Sequence, residues 1–401
     1  MNSHIKKLLI YDKAWKIIIF LLISIIVLGS SIFTINYATL NYNELLKIPI
    51  IVISSLSILI YLLIYFRLYK RKGKVITTIL AVLLCLLLAL PNSITFLTIY
   101  GKNAMLENNK IHTIPPDVDA FIDENGIIEY KGKNYIYNEN ITTILFMGVD
   151  KSNIDKTYKN GKNGQADAIY TVTIDTVTGE TTVIGISREI MTDIKIYSGQ
   201  GNYIRTENKQ LCLAYAYGDG KEMSCENTIW SVSNVLCGVP INTYMAIDLS
   251  AVKVLNDAVG GVTVPAYNSS MTKKTGKMIT LHGNDVYGYI RSRNINKTDS
   301  NAHRMARQID YLTAFSSKAI QQTKKDITTP INLYNKINKY SVNNLSVDKI
   351  TFLTSVFLKG NMNIEFKSIE GKIGVEGNYA AFYPDNEKLY ELVLDVFYKE
   401  I

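Results

Sequence analysis

Three long apolar runs occupy most of the first hundred residues of the chain. They extend from Lys16 to Asn36, from Ile48 to Phe66 and from Val75 to Ile99. Each run approaches the ~20 apolar residues that a helix needs to cross the ~30 Å hydrocarbon layer of a bilayer. The pattern therefore predicts a membrane anchor of three transmembrane helices within residues 1–100.

The pattern changes after the third run. Residues 101–140 are polar and show no strong period, so we expect a spacer with a short hairpin at IIEYKGKNYIY. Beyond this spacer, short β-branched runs alternate with segments of helical spacing. The predicted strands are ITTILFMGVD, AIYTVTID, TTVIGIS, TYMAIDL and VTVPAY, and the predicted helices include NTIWSVSNVL, SAVKVLNDAVGG and residues 301–322. This order predicts one α/β (α+β) domain over residues 141–400, an α-β-α sandwich with a central mixed sheet.

Basic residues around the apolar runs predict the orientation of the anchor. Four lysines lie at or before the start of the first run, and five basic residues, Arg67 to Lys74, lie between the second and third runs. The loop between the first and second runs carries only Glu44 and Lys47. Because cytoplasmic loops carry the excess of Lys and Arg, we expect a cytoplasmic amino terminus. Three crossings then place the large domain outside the cell, as part of a multi-pass membrane protein.

The formal net charge of +8 lies in the anchor. Residues 1–100 contain ten Lys and Arg against two Asp and Glu, and the remaining residues contain 33 of each. A neutral outer domain is not the basic surface that nucleic-acid binding requires, so we exclude nucleic acid as a partner.

Cysteine usage leaves the redox state of the outer domain open. Cys85 lies in the third run, and the outer domain holds Cys212, Cys225 and Cys237. An odd number allows at most one internal disulfide. Cys225 and Cys237 flank a predicted helix and are too far apart to pair, so Cys212 with either remains open. No cysteine or histidine spacing is typical of a metal site.

Arginine is concentrated in one short segment. Only eight of the 43 basic residues are arginines, and four of the eight lie within residues 291–307. Arginine offers a planar fork that holds phosphate or carboxylate through two hydrogen bonds. Arg304, Arg307 and Gln308 share a helix face by their spacing, and Arg291 and Arg293 point the same way if their stretch is extended. The segment predicts an anion clamp; the alternative is surface arginines paired with Asp299 and Asp310.

Two aspartates adjoin predicted strands. Asp150 closes ILFMGVD and Asp167 opens the strand in GQADAIY. Carboxylates at neighbouring strand ends are good ligands for Mg²⁺ or Mn²⁺, with substrate phosphate completing the coordination. The alternative is that both are ordinary loop or cap residues. Arg188 lies at the end of TTVIGIS, where a lone arginine is usually a rim salt bridge, here with Glu189, and by itself it indicates no function.

The order of these motifs resembles the LytR-CpsA-Psr family of cell-wall glycopolymer transferases. The resemblance covers roughly residues 141–398. Its motifs, in order, are ILFMGVD, GQADAIYTVTID, VIGISREI, LAYAYGDG, NVLCGVPINTYMAIDLSAVKVLNDAVGGVTV, LHGNDVYGYIRSRN and HRMARQIDYL.

The resemblance implies a membrane-bound enzyme that moves an anionic or capsular polymer from a polyprenyl-pyrophosphate carrier onto peptidoglycan through a phosphodiester. It implies that the prenyl chain lies between sheet and helices, here with walls from residues 228–236 and 251–259; the alternative is that these residues are simply core. By position, the resemblance implies that Asp150 and Asp167 bind Mg²⁺. It implies that these two acids are catalytic together with Arg188, Arg291 and Arg293. It also implies a pyrophosphate-binding set: Arg188, Arg291, Arg293, Arg304, Arg307 and Gln308.

The sequence departs from the family pattern at several positions. Gln165 stands where the family usually has an arginine, and Gln210 replaces a lysine that is common before the AYAYG motif. Glu189 follows Arg188 in place of aspartate, and Asn301 replaces an acid. Two alternatives stay open: a non-catalytic binding or regulatory protein that still holds polyprenyl-linked glycans, which Gln165 and Gln210 favour, and a hydrolase that releases the polymer or cleaves the pyrophosphate.

Overall fold

The chain divides into two compact units. A computed structural model describes residues 3–69, 74–106, 112–150, 161, 164–292, 300–359 and 364–401. The first unit is Met1–Lys102 with Thr351–Lys359, and the second is Asn103–Ile350 with Gly360–Ile401.

The first unit contains three helices, α1 (Ser3–Asn41), α2 (Glu44–Tyr69) and α3 (Lys74–Leu106). Each contains a segment long and apolar enough to cross a membrane: Phe20–Asn41, Glu44–Phe66 and Val75–Leu106. The three predicted apolar helices are therefore confirmed. Hydroxyl groups connect them, because the Oγ atoms of Ser31 in α1 and Ser57 in α2 lie 3.1 Å apart, and Tyr42, directly after α1, donates to Thr98 of α3 at 2.8 Å.

The second unit alternates strands and helices. Its strands are β1 (Ala120–Ile122), β2 (Ile128–Tyr130), β3 (Lys133–Tyr137), β4 (Ile141–Val149), β5 (Ala166–Asp175), β6 (Thr181–Ile186), β7 (Met191–Tyr197), β8 (Tyr203–Gln210), β9 (Thr243–Asp248), β10 (Val262–Tyr267), β11 (Lys274–Leu281), β12 (Ser341–Asn343), β13 (Ile364–Ser368), β14 (Gly371–Glu376), β15 (Tyr379–Pro384) and β16 (Tyr398–Glu400). Its helices are α4 (Leu213–Ala216), α5 (Glu222–Val235), α6 (Leu249–Ala258), α7 (Asp285–Arg291), α8 (Ser300–Lys325), α9 (Thr329–Ile337), α10 (Val347–Lys359), whose residues from Thr351 onward are counted in the first unit, and α11 (Asn386–Phe397).

A six-stranded mixed sheet forms the centre, in the order β12-β9-β4-β5-β6-β13. The pairs β4/β9 and β6/β13 are parallel, and the other pairs are antiparallel. Alternate side chains of each strand point to opposite faces. Leu145 and Met147 of β4 pack in the core with Val232 of α5 and Leu389 of α11. Phe146 of β4 packs on the other face, beside α6 and α9. The predicted α-β-α sandwich with a mixed central sheet is confirmed.

Residues expected to form a spacer belong to the second unit. The hairpin predicted there is present as β2 and β3, and β1, β2, β3 and β16 form a four-stranded sheet. Ile128, Tyr130 and Tyr137 join the hydrophobic core. The difference arises because β16, at the other end of the chain, pairs with β3, a long-range contact that composition does not reveal.

The four cysteines carry free thiols, and the three in the second unit are buried. Neither disulfide left open by the sequence is formed. Burial raises the pKa of Cys212 to about 11 and that of Cys237 to about 12, so both thiols stay protonated at neutral pH.

Candidate active site

Sheet topology brings three aspartates to one edge. β4 and β9 are parallel, so their carboxyl ends meet: Val149 lies opposite Asp248, and Asp150 follows directly. β5 runs the other way and begins at this edge, with Ala166 opposite Val149. Asp167 therefore lies beside the end of β4. The two aspartates predicted as a pair are brought together by strand direction.

A cavity of about 110 Å³ opens at this edge. Its charged end is exposed, with the side chains of Asp150 and Arg291 45% and 59% exposed. Its inner wall is apolar and buried, with Ile247 7% and Ile290 9% exposed. The lining comes from β4, β5, β9, α6, α7 and α8: Phe146, Gly148, Asp150, Asp167, Ala168, Tyr170, Ile247, Asp248, Val252, Ile290, Arg291, Arg304, Gln308, Tyr311 and Leu312.

Arg291 pairs with the first of the two aspartates. Its Nη2 lies 3.0 Å from Asp150 Oδ1. Arg291 does not lie in an extended stretch, because this residue forms the last turn of α7. Arg293 lies outside the described residues. An exposed pair of this kind stabilises the fold by only ~0–1 kcal/mol, so its partners exchange readily.

Arg188 pairs with the second aspartate. β6 is antiparallel to β5 and ends near the start of β5, with Ile186 opposite Ile169. Arg188 follows β6, and its Nη1 donates to the Asp167 carboxylate while its Nη2 donates to Gln165 Oε1 at 2.7 Å. The alternative pairing with Glu189 is therefore not the one formed.

The guanidinium of Arg188 keeps an unused donor. Its Nε is buried and has no hydrogen-bond partner in the described structure. Burial lowers the pKa of Arg188, but the neighbouring Cys212 and Asp167 outweigh burial and raise it overall, so the charge is retained. Arg188 and Arg304 both line a cavity of about 10 Å³ that borders Asp167, beside the larger pocket. Two guanidinium groups therefore border the same small space beside Asp167.

Helix α8 supplies two further pocket residues. Arg304 is 4% exposed, and its Nη2 donates to the backbone carbonyl of Asp167 at 3.3 Å. Gln308 donates to the Ile290 carbonyl at 3.2 Å and accepts from the Tyr170 hydroxyl at 2.7 Å. Burial raises the pKa of Tyr170 above its usual range, so this hydroxyl stays protonated and donates. Both residues are thus held in place by contacts within the protein.

Arg307 is turned away from the pocket. It is 1% exposed and is absent from the lining. Its Nε donates to the Tyr289 carbonyl at 2.8 Å, Nη1 donates to the carbonyls of Met271 and His303, and Nη2 donates to that of Ser292. These bonds occupy four of its five N–H groups. These bonds link α8 to α7 and to the turn before β11, and Arg307 does not line the pocket with Arg304 and Gln308.

Several other expectations are changed by the packing. Asp310, offered as an arginine partner, accepts from Lys274 and Tyr267, both at 2.8 Å. Residues 228–236 of α5 do not line the pocket and instead contribute Val232 to the core on the opposite face. Of residues 251–259, Val252 lines the pocket.

Asp248 is a pocket residue that the sequence argument missed. It is 2% exposed, and its Oδ1 caps α6 by accepting from the backbone N–H groups of Ser250 at 2.8 Å and Ala251 at 3.1 Å. The available signal was its place at the end of the TYMAIDL strand, the same signal that identified Asp150. Among the described residues, no group of three or more His, Cys, Asp or Glu side chains is arranged to hold a metal ion.

Fold and site define a class of protein in which an α-β-α domain follows three apolar helices and carries paired acids and arginines at one sheet edge. The LytR-CpsA-Psr (LytR_cpsA_psr) family model matches residues 91–394, and the chain belongs to this family.

Curated relatives are distant. Biofilm regulatory protein A of Streptococcus mutans is 28% identical over 203 residues, which is 47% of this chain and 47% of that protein. The polyisoprenyl-teichoic acid–peptidoglycan teichoic acid transferase TagU of Bacillus licheniformis is 25% identical over 257 residues, 63% of this chain and 75% of that protein. The chain thus spans about half the length of the first relative.

Among solved structures, protein gbs0355 of Streptococcus agalactiae superimposes with a TM-score of 0.50 at 17% identity, covering 64% of this chain and 86% of that chain. This likeness shows the fold alone.

Proposed function

We propose that this chain is a membrane-anchored, extracytoplasmic transferase that moves a glycopolymer from a polyprenyl-pyrophosphate carrier onto peptidoglycan. The observation that carries the proposal is the two-part pocket. Its polar end combines Asp150, Asp167 and Asp248 with Arg291 and the buried Arg304, and its inner wall is apolar. A prenyl pyrophosphate has the same division, since a doubly charged head is joined to a hydrocarbon chain. Family membership and the TagU relative, named as a teichoic acid transferase, support glycopolymer transfer as the reaction.

The acids of the site fit a hard divalent cation. Asp150 and Asp167 offer only oxygen ligands, and their side chains are 45% and 27% exposed. Mg²⁺ binds to one or two carboxylates and takes its remaining ligands from water and substrate phosphate. Mn²⁺ accepts the same ligands. The cation, when bound, would neutralise developing charge on the transferred phosphoryl group.

The arginines have a complementary task. Phosphoryl transfer depends on positioning and on neutralising charge over the phosphate oxygens, with little covalent chemistry by the protein. Arg291 and Arg188 each contact an acid, and phosphate oxygens would compete for the same N–H groups. Arg304, fixed by its bond to the Asp167 carbonyl, holds a third charge at the same place.

The proposed reaction exchanges one P–O bond for another. An acceptor hydroxyl of peptidoglycan forms a bond to the phosphorus that bears the glycan, and the P–O bond to the bridging oxygen breaks. The carrier leaves as polyprenyl monophosphate, and the hydroxyl proton is released to solvent. A carrier that stays in the bilayer accounts for an anchor of three apolar helices, and the basic residues at positions 67–74 favour an outer location for the domain.

A regulatory or binding protein is the second candidate. It is favoured by the closed Arg188–Asp167 pair and by the name of the Streptococcus mutans relative, a biofilm regulatory protein. Such a protein would bind the carrier-linked glycan without turnover.

The test uses the full-length chain in liposomes with polyprenyl-pyrophosphate glycan, peptidoglycan fragments and Mg²⁺. Polymer-linked peptidoglycan together with polyprenyl monophosphate is the expected product pair. Binding without product would support the second candidate, and glycan release independent of acceptor would indicate a hydrolase. Arg291→Ala should abolish transfer, whereas Arg205→Ala should not; Arg205 is equally exposed, at 60% against 59%, and pairs with Glu207 outside the pocket.

A further inference from the structure

Two different acceptors hold the guanidinium of Arg188. Asp167 accepts from Nη1 as a carboxylate, and Gln165 accepts from Nη2 through its neutral amide oxygen at 2.7 Å. The arginine side chain is only 14% exposed. Its orientation is therefore set by these two side chains, which lie two residues apart at the start of β5.

Gln165 is itself fixed on two further sides. Its backbone carbonyl accepts from the backbone N–H of Asp150 at 2.9 Å. Its Oε1 also lies 3.8 Å from Cys212 Sγ, within range of a weak thiol hydrogen bond. Cys212 in turn donates its backbone N–H to the Arg188 carbonyl at 3.1 Å. Gln165 thus joins the strand end that carries Asp150 to the arginine beside Asp167.

The side chain at position 165 determines whether Arg188 gains a hydrogen-bond acceptor and whether its positive charge is kept. An arginine there would present donors to another donor and place two cations in contact. A glutamate would accept the hydrogen bond but would cancel part of the positive charge. Glutamine accepts the hydrogen bond and leaves the charge of Arg188 unchanged.

Asp167 cannot hold Arg188 in the same orientation throughout a reaction. Any cation or donor that takes an Asp167 oxygen competes with Arg188 for that carboxylate. The Gln165 bond does not take part in this competition, because a neutral amide is a poor ligand for a hard cation beside two carboxylates. We propose that Gln165 is a positioning residue that keeps Arg188 directed at the site while Asp167 changes partners.

This inference rests on the proposed function for its consequence, but the contacts of Arg188 are testable without activity. Gln165→Met keeps the side-chain length and removes the acceptor, Gln165→Glu keeps the acceptor, and Gln200→Met in the exposed turn after β7 is the matched control. The full-length chain in detergent is treated with phenylglyoxal, and modification of Arg188 relative to exposed Arg205 is read by peptide mass spectrometry.

Relative modification of Arg188 is expected to rise about fivefold in Gln165→Met, the factor expected from one lost hydrogen bond. It should stay within about twofold of wild type in Gln165→Glu and Gln200→Met, where that bond or an equivalent remains. Unchanged modification in Gln165→Met would overturn the positioning role even where turnover is normal.

Turnover separates positioning from a merely structural effect. In Gln165→Met, kcat should fall about 10- to 100-fold, as for a lost hydrogen bond to a charged group. In Gln165→Glu, kcat should stay within about threefold while KM for the polyprenyl-pyrophosphate glycan rises, because the added carboxylate repels the substrate. Equal loss of kcat in both variants would contradict the proposal. If the variants show the expected modification of Arg188 but the wild-type chain shows no turnover, the positioning role is retained and the proposed transferase activity is overturned.

Discussion

Replacing Arg307 by methionine removes four hydrogen bonds from a side chain that is 1% exposed. Each backbone carbonyl left without a donor in a buried place costs ~1–3 kcal/mol. Because some carbonyls will relax toward water or other donors, we expect a total loss of about 4–6 kcal/mol rather than the full sum. A domain has only ~5–15 kcal/mol of stability, so this single change should bring the second unit close to unfolding.

Two control variants separate stability from transfer. Arg307→Lys tests partial recovery of stability, and Arg291→Ala tests loss of transfer at unchanged stability. Lysine keeps the charge but has three donors on one nitrogen and no planar fork, so we expect it to recover about half of the loss. Arg291→Ala removes an exposed pair, worth ~0–1 kcal/mol, and should leave stability nearly unchanged while transfer is lost.

Urea unfolding in detergent measures these differences. The chain has two tryptophans, and a Trp15→Phe background leaves Trp230 of α5 as the sole tryptophan, reporting on the second unit. An Arg307→Met transition at the wild-type urea concentration would refute the structural role. Equal destabilisation by Arg291→Ala would refute the distinction between the two arginines.

Three further outcomes follow from the site and the core. Asp167→Asn should lower transfer at least ~100-fold while the unfolding free energy changes by about 1–2 kcal/mol; normal transfer in this variant would remove Asp167 from the site. Chelation by EDTA should stop transfer, and added Mg²⁺ or Mn²⁺ should restore it, whereas metal-independent transfer would contradict a cation at the acids. Burial lowers the pKa of His112 to about 4, and its ring bonds Tyr390 and Tyr398. Since the unfolded state binds the proton more tightly, stability should be complete above about pH 6.5 and fall by about 2–3 kcal/mol toward pH 4, allowing for partial exposure. His112→Gln should flatten that pH dependence, and an unaltered slope would assign it to other groups.

The predictable part of the site is the part that strand direction determines. β4, β5 and β6 were all predicted from alternation and β-branched residues, and the hairpin of β5 and β6 is present. Asp150 and Asp167 adjoin strand ends, and antiparallel pairing of β4 with β5 is enough to bring them to one edge. Local pattern and elementary sheet geometry therefore carry this prediction without knowledge of the packing.

Helix spacing was less informative about the arginines. The spacing of Arg304, Arg307 and Gln308 predicted a common face, yet only Arg304 and Gln308 line the pocket. Residues 307 and 308 differ by about 100° around a helix, so they can meet different neighbours. Arg307 meets the turn before β11 and the end of α7, whose positions depend on long-range packing. Sequence alone places a residue on a helix face but does not say what covers that part of the face.

The two glutamines that depart from the family pattern have different consequences. Gln210 donates its side-chain amide to the Ala380 carbonyl of β15 at 2.6 Å and does not line the pocket. Gln165 contacts Arg188 directly, so only this replacement changes the charge next to the paired acids. Of the two basic residues that these glutamines replace in the family pattern, only the one at position 165 would have lain beside the paired acids in this structure. Because Gln165 also supplies the neutral acceptor that an arginine lacks, the replacement that removes a charge adds a hydrogen bond to Arg188.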